Sequence, residues 1–216
     1  MRIICILSLV SVVPLQADKT LFHDDFRGNL AAGWKWVRED PKAWRSTEEG
    51  LEIRVLPGNM WGPPNNARNV LVRSVPDPSR GPLEVTVKVH NQPTEQYEQV
   101  DLVWYYDDSN MVKIGLEQVD RELCVVMGRE EKDRTRTIAI VRKATPSLDL
   151  RFSVRGDRIE GHYRLDGAAD WAKAGECTLP VHGKPKVSLQ AYQGPAEVER
   201  WARITEFRIR KIAPEE

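Results

Sequence analysis

Between residues 99 and 117 the chain alternates apolar and polar positions, QVDLVWYY and MVKIGLE, on either side of the polar segment DDSN. Two alternating runs about a short polar turn predict a β-hairpin. Successive side chains on a strand point to opposite faces, so each arm presents two surfaces. Val100, Leu102, Trp104 and Tyr106 share one face of the first arm, and Val112, Ile114 and Leu116 continue it on the second. Gln99, Asp101, Val103 and Tyr105 share the other face, with Lys113, Gly115 and Glu117. A turn centred on Asp108-Ser109 places Tyr105 opposite Lys113, Val103 opposite Gly115 and Asp101 opposite Glu117. One side is then oily. The other carries a ring, a cation, a glycine gap and two carboxylates.

The same alternation recurs at 51–55, 83–89, 148–154 and 186–191, and in shorter form at 69–73, 123–127, 137–141 and 159–165, with a last run at 202–212. Turn clusters such as Pro57-Gly58-Asn59, Pro76-Asp77-Pro78, Arg155-Gly156-Asp157 and Asp166-Gly167 separate these runs. No stretch keeps a helical period for three turns. Many short strands at regular spacing predict an all-β sandwich or barrel, and alternation between a dry and a wet face fits a sandwich of two sheets.

The first residues stand apart from this pattern. Arg2 precedes an apolar run at 3–13, Pro14 breaks it, and Leu15-Gln16-Ala17 offers a small residue before an abrupt polar shift at Asp18. Residues 1–17 read as a secretory signal peptide, which predicts a secreted or periplasmic protein. The competing reading, a buried N-terminal strand or helix, does not account for the polar shift. The run is too short to span a bilayer, and no later stretch is apolar enough to cross one. Residues 18–216 are expected to form a single domain, long enough for a sizeable core. Lys plus Arg number 32 and Asp plus Glu 32, a balance that argues against a nucleic-acid or membrane-surface partner. Beyond residue 17 the cysteines are Cys124 and Cys177, either a single bridge or two separate small hydrophobes.

Several segments, taken in order, carry a resemblance. HDDF is followed by GWKW and by Trp44 six residues before Gly50-Leu51-Glu52-Ile53; then come NNARNVLVR, the hairpin, LDLRFSVRGDRIEGHYRLDGAADW, KVSLQAY and a closing FRI. Over residues 20–212 this order resembles the concanavalin A-like domain-of-unknown-function family 1349, and it is similar to the C-terminal sandwich modules of bacterial β-xylosidases. The resemblance implies a jelly-roll sandwich of two antiparallel sheets with a curved, carbohydrate-facing side. It implies a site location but no reaction, because the family has no settled activity. One departure stands out. Related modules commonly carry an Ala-Gly pair before the hairpin leucine, where this chain has Val100-Asp101.

On that frame, parity and resemblance together assign a concave-face site to Trp61, Asn65, Arg73, Asp101, Tyr105, Lys113, Glu117, Gln190 and Tyr192. Val187, Leu189 and Ala191 form the apolar set of their strand, so Gln190 and Tyr192 face the other way. Aromatic rings stack on the C–H faces of sugars, while amides both donate to and accept from hydroxyls. The loop NMWGPPNN at 59–66 places Trp61 and Asn65 either as a binding loop or as a lid folded onto the sandwich. Trp104 falls on the apolar side and belongs to the core; Trp44 closes one end of it, and Trp171 anchors a loop. The expected partner is a carbohydrate. As an alternative, Asp101 facing Glu117 resembles the paired carboxylates of glycosidases, or else joins Lys113 and Arg73 in a solvated ion-pair ladder. Asp24-Asp25, and less so the Asp107-Asp108-Asn110 turn, are candidates for a structural calcium, with no other cofactor expected. The four histidines lack zinc-hydrolase spacing, and neither a nucleophile elbow nor a phosphate-cradling glycine loop is present.

Overall fold

The computed structural model describes residues 18–213; the signal-peptide reading of residues 1–17 lies outside them. The described chain is all β apart from one 3₁₀ turn at Pro78–Arg80, with fifteen strands in two antiparallel sheets. The first sheet contains, in spatial order, β13 (Ala172–Thr178), β12 (Arg158–Leu165), β11 (Ser147–Arg155), β6 (Leu83–His90), β15 (Trp201–Lys211), β4 (Gly50–Arg54) and β3 (Trp44–Thr47). β1 (Lys19–Asp24) joins it by pairing with the far half of β15. The second sheet runs β10 (Arg134–Arg142), β9 (Glu122–Glu131), β8 (Asn110–Val119), β7 (Gln99–Asp107), β14 (Lys186–Tyr192), β5 (Val70–Ser74) and β2 (Trp34–Val37). This is the expected jelly-roll sandwich.

The alternating runs pack as their parity predicts. Leu83, Val85, Val87 and Val89 of β6 and Leu148, Leu150, Phe152 and Val154 of β11 meet Leu102, Trp104, Ile114 and Leu189 of the opposite sheet in one continuous core. Trp104 is fully buried there. Trp44 closes an end of the core, its ring 4.9 Å from that of Trp36. Trp171 is held by two cations, the Arg151 and Arg164 guanidinium carbons lying 4.4 and 4.9 Å from its ring centre. The outer face of the first sheet is a lattice of ion pairs, among them Arg164–Asp149 at 2.7 Å and Arg210–Glu84 at 3.1 Å. Cys124 and Cys177 are both free and buried, which settles the pairing question in favour of two separate side chains.

The four strands that simple alternation does not bring out are β1, β2, β3 and β13. All four have a single partner strand, β2, β3 and β13 at the ends of their sheets and β1 against β15 alone. Edge strands bury less of either face, so their sequences are freer of the period-two constraint.

Candidate functional site

The hairpin β7–β8 forms, with Asp108-Ser109 at its tip, but its register differs from the one read from sequence. A bulge between Tyr105 and Asp107 shifts the pairing, so Tyr105 lies opposite Met111, Val103 opposite Lys113, Asp101 opposite Gly115 and Gln99 opposite Glu117. Face parity survives this shift, because the offset between expected and observed pairing is two residues. The carboxylates of Asp101 and Glu117 are therefore diagonal neighbours, not a directly facing pair.

Gly115 shows why the register holds. A Cβ at this position would overlap an Asp101 carboxylate oxygen and come within 2.6 Å of the Val100 carbonyl oxygen. The glycine supplies the space that Asp101 occupies. β14 lies on the other side of β7 and sets Gln190 beside Asp101 and Tyr192 beside Gln99. Three adjacent strands thus bring Gln99, Asp101, Lys113, Glu117, Ser188, Gln190 and Tyr192 onto one face.

That face is covered in part, and of the two readings of the 59–66 loop the structure shows the lid. The 57–69 loop folds across the sheet and forms a second small core, in which Met60 packs with Val72, Val103, Tyr105 and Met111. The loop is closed on itself by the Asn59 N–H donating to Asn66 Oδ1 at 2.8 Å and the Asn66 N–H to the Asn59 carbonyl at 2.9 Å. It is pinned to β9 by the Gly62 N–H, which donates to Glu130 Oε2 at 3.0 Å. Trp61 then lies over Gly128, where a Cβ would meet the indole ring at 2.9 Å and closer. Loop, lid and ring are positioned by one strand through a gap at Gly128 and an acceptor at Glu130.

Beside this cover the sheet opens into a cleft of about 520 Å³. Its floor is Gln99, Lys113 and Glu117; Trp61, Asn59 and Gln193 form one part of its border, and Tyr97, Val119, Val126 and Ile140 another. Lys113 is the centre of the floor. Its ammonium donates to Gln99 Oε1 and to Glu117 Oε2, the latter at 2.8 Å, and lies 5.2 Å from the centre of the Trp61 ring. Burial opposes its charge, but Glu117, Asp101 and Glu130 outweigh burial and hold the lysine protonated.

Asp101 lies beneath this floor, fully buried, with the Tyr192 hydroxyl as its hydrogen-bonding neighbour. Gln190 donates to Ser188 Oγ at 2.6 Å, leaving its own carbonyl oxygen without a partner. Burial pushes the Asp101 carboxyl up to about 7 against the pull of Lys113, and burial likewise raises Glu130 to about 7.

Three of the expected site residues lie elsewhere. Arg73 is on the inter-sheet side of β5, its guanidinium carbon 3.3 Å from the centre of the Phe22 ring and its Nη1 donating to the Ala32 carbonyl at 2.6 Å. Its parity matches core residue Leu71, because β5 has Val70 and Val72 on the covered face. Asn65 turns away from the cleft and donates to Asp133 at 3.2 Å. Tyr105 is buried under the loop, with its hydroxyl donating to Asp108 at 2.6 Å. Of the others, Trp61, Lys113 and Glu117 line the cleft, and Asp101, Gln190 and Tyr192 lie below it. Sequence reasoning passed over Gln99, although it shares the face of Asp101, and over Asn59, Tyr97, Gln193 and Glu130.

The calcium candidates do not fit a cation. Asp24 accepts N–H groups from Phe26 at 2.8 Å, Ala31 at 2.9 Å and the Trp34 indole at 2.9 Å, which occupies both oxygens in shaping the loop after β1. Asp25 accepts from the Arg27 N–H, Asp107 accepts from Ser109 and Asn110, and Asp108 is bound by Arg38. Among the described residues no group of three or more His, Cys, Asp or Glu is arranged to hold a metal ion.

A pH dependence follows from the raised carboxyls. Asp101 titrates near 4 when unfolded and near 7 when folded, so between these values the folded state binds more protons and stability falls as pH rises. Above about pH 7 this contribution is flat. Lys113, Glu117 and Tyr192 surround Asp101, while His162, lowered by burial, slopes stability the other way below about pH 6.5. The difference between the protein and Asp101→Asn isolates the effect. The variant's melting temperature, relative to wild type, is expected to rise between pH 5 and pH 8; a constant difference would contradict the buried titration.

The fold and the lidded cleft define a class of two-sheet concanavalin A-like sandwich. A family model covering residues 36–212 matches the chain, which belongs to the DUF1349 family of proteins of unknown function. No curated protein matches it. Solved structures share the fold. The GH43 BlXynB protein from Bacillus licheniformis superposes with a TM-score of 0.75 at 20% identity over 89% of this chain and 39% of its own. A xylan β-1,4-xylosidase from Bacillus halodurans C-125 does so with a TM-score of 0.75 at 17% identity over 94% of this chain and 41% of its own. The chain thus spans about two fifths of those enzymes, corresponding to their C-terminal sandwich modules. The CBM2 module of the evolved Dit of Lactobacillus casei BL23 phage J-1 gives a TM-score of 0.61 at 10% identity, with 94% of this chain and 99% of that one covered.

Proposed function

We propose that the protein is an exported, non-catalytic carbohydrate-binding sandwich whose ligand lies in the cleft between Trp61 and Tyr97. The observation that carries this reading is the floor of the cleft, where Lys113, Gln99 and Glu117 are fixed by one another beneath a half-buried indole. A rigid polar floor with an aromatic border suits a sugar, which offers hydroxyls at its rim and C–H groups on its faces. The likeness to modules of carbohydrate-active proteins supports the same ligand class.

A glycan-array screen of the protein, followed by titration of each hit, tests this. Trp61→Ala is expected to weaken binding about tenfold or more, the equivalent of losing one stacking face. Hits indifferent to Trp61→Ala would move the site elsewhere. Hydrolysis by Asp101 and Glu117 is the weaker reading, because Asp101 reaches no cleft surface and Glu117 is held in an ion pair with Lys113. Sugar release by the protein, abolished in Glu117→Gln while binding survives, would establish it instead.

Export rests on the charged start, apolar run and small-residue site of residues 2–17. N-terminal sequencing of protein from a secreting host is expected to begin near Asp18; an intact Met1 on the recovered protein would count against it.

A further inference from the structure

We propose that the cleft selects uncharged, hydroxyl-rich oligosaccharides and turns away sugars bearing carboxylate or sulfate groups. This rests on the cleft being the binding site, and it follows from the charges placed there. Among the described residues lining the cleft, Lys113 is the only cation. Its ammonium is already committed to Glu117 and Gln99, and Asp101 and Glu130 also face it. No arginine lines the cleft, so there is no planar fork to receive a carboxylate or sulfate. Asp120, the other charged residue on the border, is paired with Arg142 at 3.0 Å.

An anionic sugar therefore meets a single cation that is already shared, and its charge is set beside that of Glu117. Like charges that share one site are strongly disfavoured, and juxtaposition of like charges is a general means of excluding wrong partners. A cationic amino sugar meets the Lys113 ammonium at the floor. A neutral sugar meets neither obstacle. Gln193 offers both donor and acceptor groups, which is what a hydroxyl requires, while the amides of Asn59 and Gln99, engaged with Trp61 and with Tyr97 and Lys113, keep only their second proton and lone pair for a ligand. Val119, Val126 and Ile140 give the C–H faces an apolar wall, and Ile140 is 45% exposed, so this wall is free to receive a ligand.

The test uses the full chain and paired probes: neutral xylo-, gluco- and manno-oligosaccharides against glucuronate-substituted or oligogalacturonate counterparts of equal length, titrated at pH 7 and constant salt. Uronate probes are expected to bind at least tenfold more weakly than their neutral counterparts. Glu117→Gln frees the Lys113 ammonium and should narrow that gap. Should this variant fail to fold, as its melting curve would show, Ile140→Lys adds a cation on the exposed rim and should narrow the gap without disturbing the core. Uronate probes that bind wild type as tightly as neutral ones, with Trp61→Ala still weakening both, would overturn the charge selection and leave the cleft as the site. Failure of every glycan to bind, or binding indifferent to Trp61→Ala, would overturn the site and this inference together.

Discussion

Trp104→Ala is expected to destabilise the protein by about 3–5 kcal/mol, the usual cost of replacing a fully buried tryptophan by alanine. Trp104 is the largest completely buried side chain, and it lies between Val112 and Val187 on the neighbouring strands of the second sheet. It projects from β7 into the core shared with the first sheet, among side chains that cannot close around the space it would leave. For a domain of this size the loss corresponds to a fall in melting temperature of roughly 10 °C. The check is a denaturant midpoint at unchanged slope. A shift equivalent to less than about 0.5 kcal/mol would mean that the ring does not pack as described.

Gly115→Ala is expected to cost about 3 kcal/mol, near the upper end of the usual penalty for overpacking, although it adds a single methyl group. Two obstacles meet the new Cβ. The Asp101 carboxylate can be displaced only into a space already filled by Gln190, Tyr192 and Lys113, all buried. The Val100 carbonyl oxygen belongs to the backbone and moves only if β7 and β8 separate. Asp101→Gly should recover part of the loss by removing the first obstacle and leave the part due to the second. If the double variant were no more stable than Gly115→Ala, Asp101 would not be what the glycine accommodates. In the double-variant comparison the coupling between the two substitutions, not either cost alone, carries the conclusion.

These two residues show how much could be read in advance. Trp104 was legible because a buried strand repeats its apolar residues with period two, and β6, β11 and β14 announce themselves in the same way. Gly115 was visible as a gap, but what filled it was not. Pairing depends on the bulge beside Tyr106, and a bulge is a local backbone choice with no fixed sequence mark. The covered state of the second sheet's outer face left a clue in Val72, Val103 and Met111, apolar residues on a face otherwise read as wet. Their partner, Met60, lies in a loop whose course no periodicity describes. Arg73 misled for a related reason: a charged residue at a strand end reads as part of the polar concave-face site, whereas it lies on the inter-sheet side against Phe22. The polar cluster was partly legible because parity alone collects Gln99, Asp101, Lys113, Glu117 and Gln190 on one side. Their mutual contacts required the three-strand order β8-β7-β14, in which the third strand arrives from far along the chain.

The position of β15 bears on how the molecule comes to be assembled. This strand, residues 201–211, lies between β4 and β6 and also carries β1 on its far half, so its three partners wait until it has been made. During synthesis the first sheet can exist only as separate pieces, β11–β12–β13 with β6 on one side and β3–β4 on the other, each with an open edge. The second sheet meets no such delay beyond β14. Closure of the first sheet is then a late event, made through contacts between residues more than a hundred positions apart, such as Arg203 with His90 and Ile204 with Leu51, the kind of nonlocal step that slows folding. Until it occurs, the nascent chain exposes hydrogen-bonding edges to any neighbouring copy. A chain stopped before Trp201 would retain most of its apolar residues and yet lack the strand that unites them.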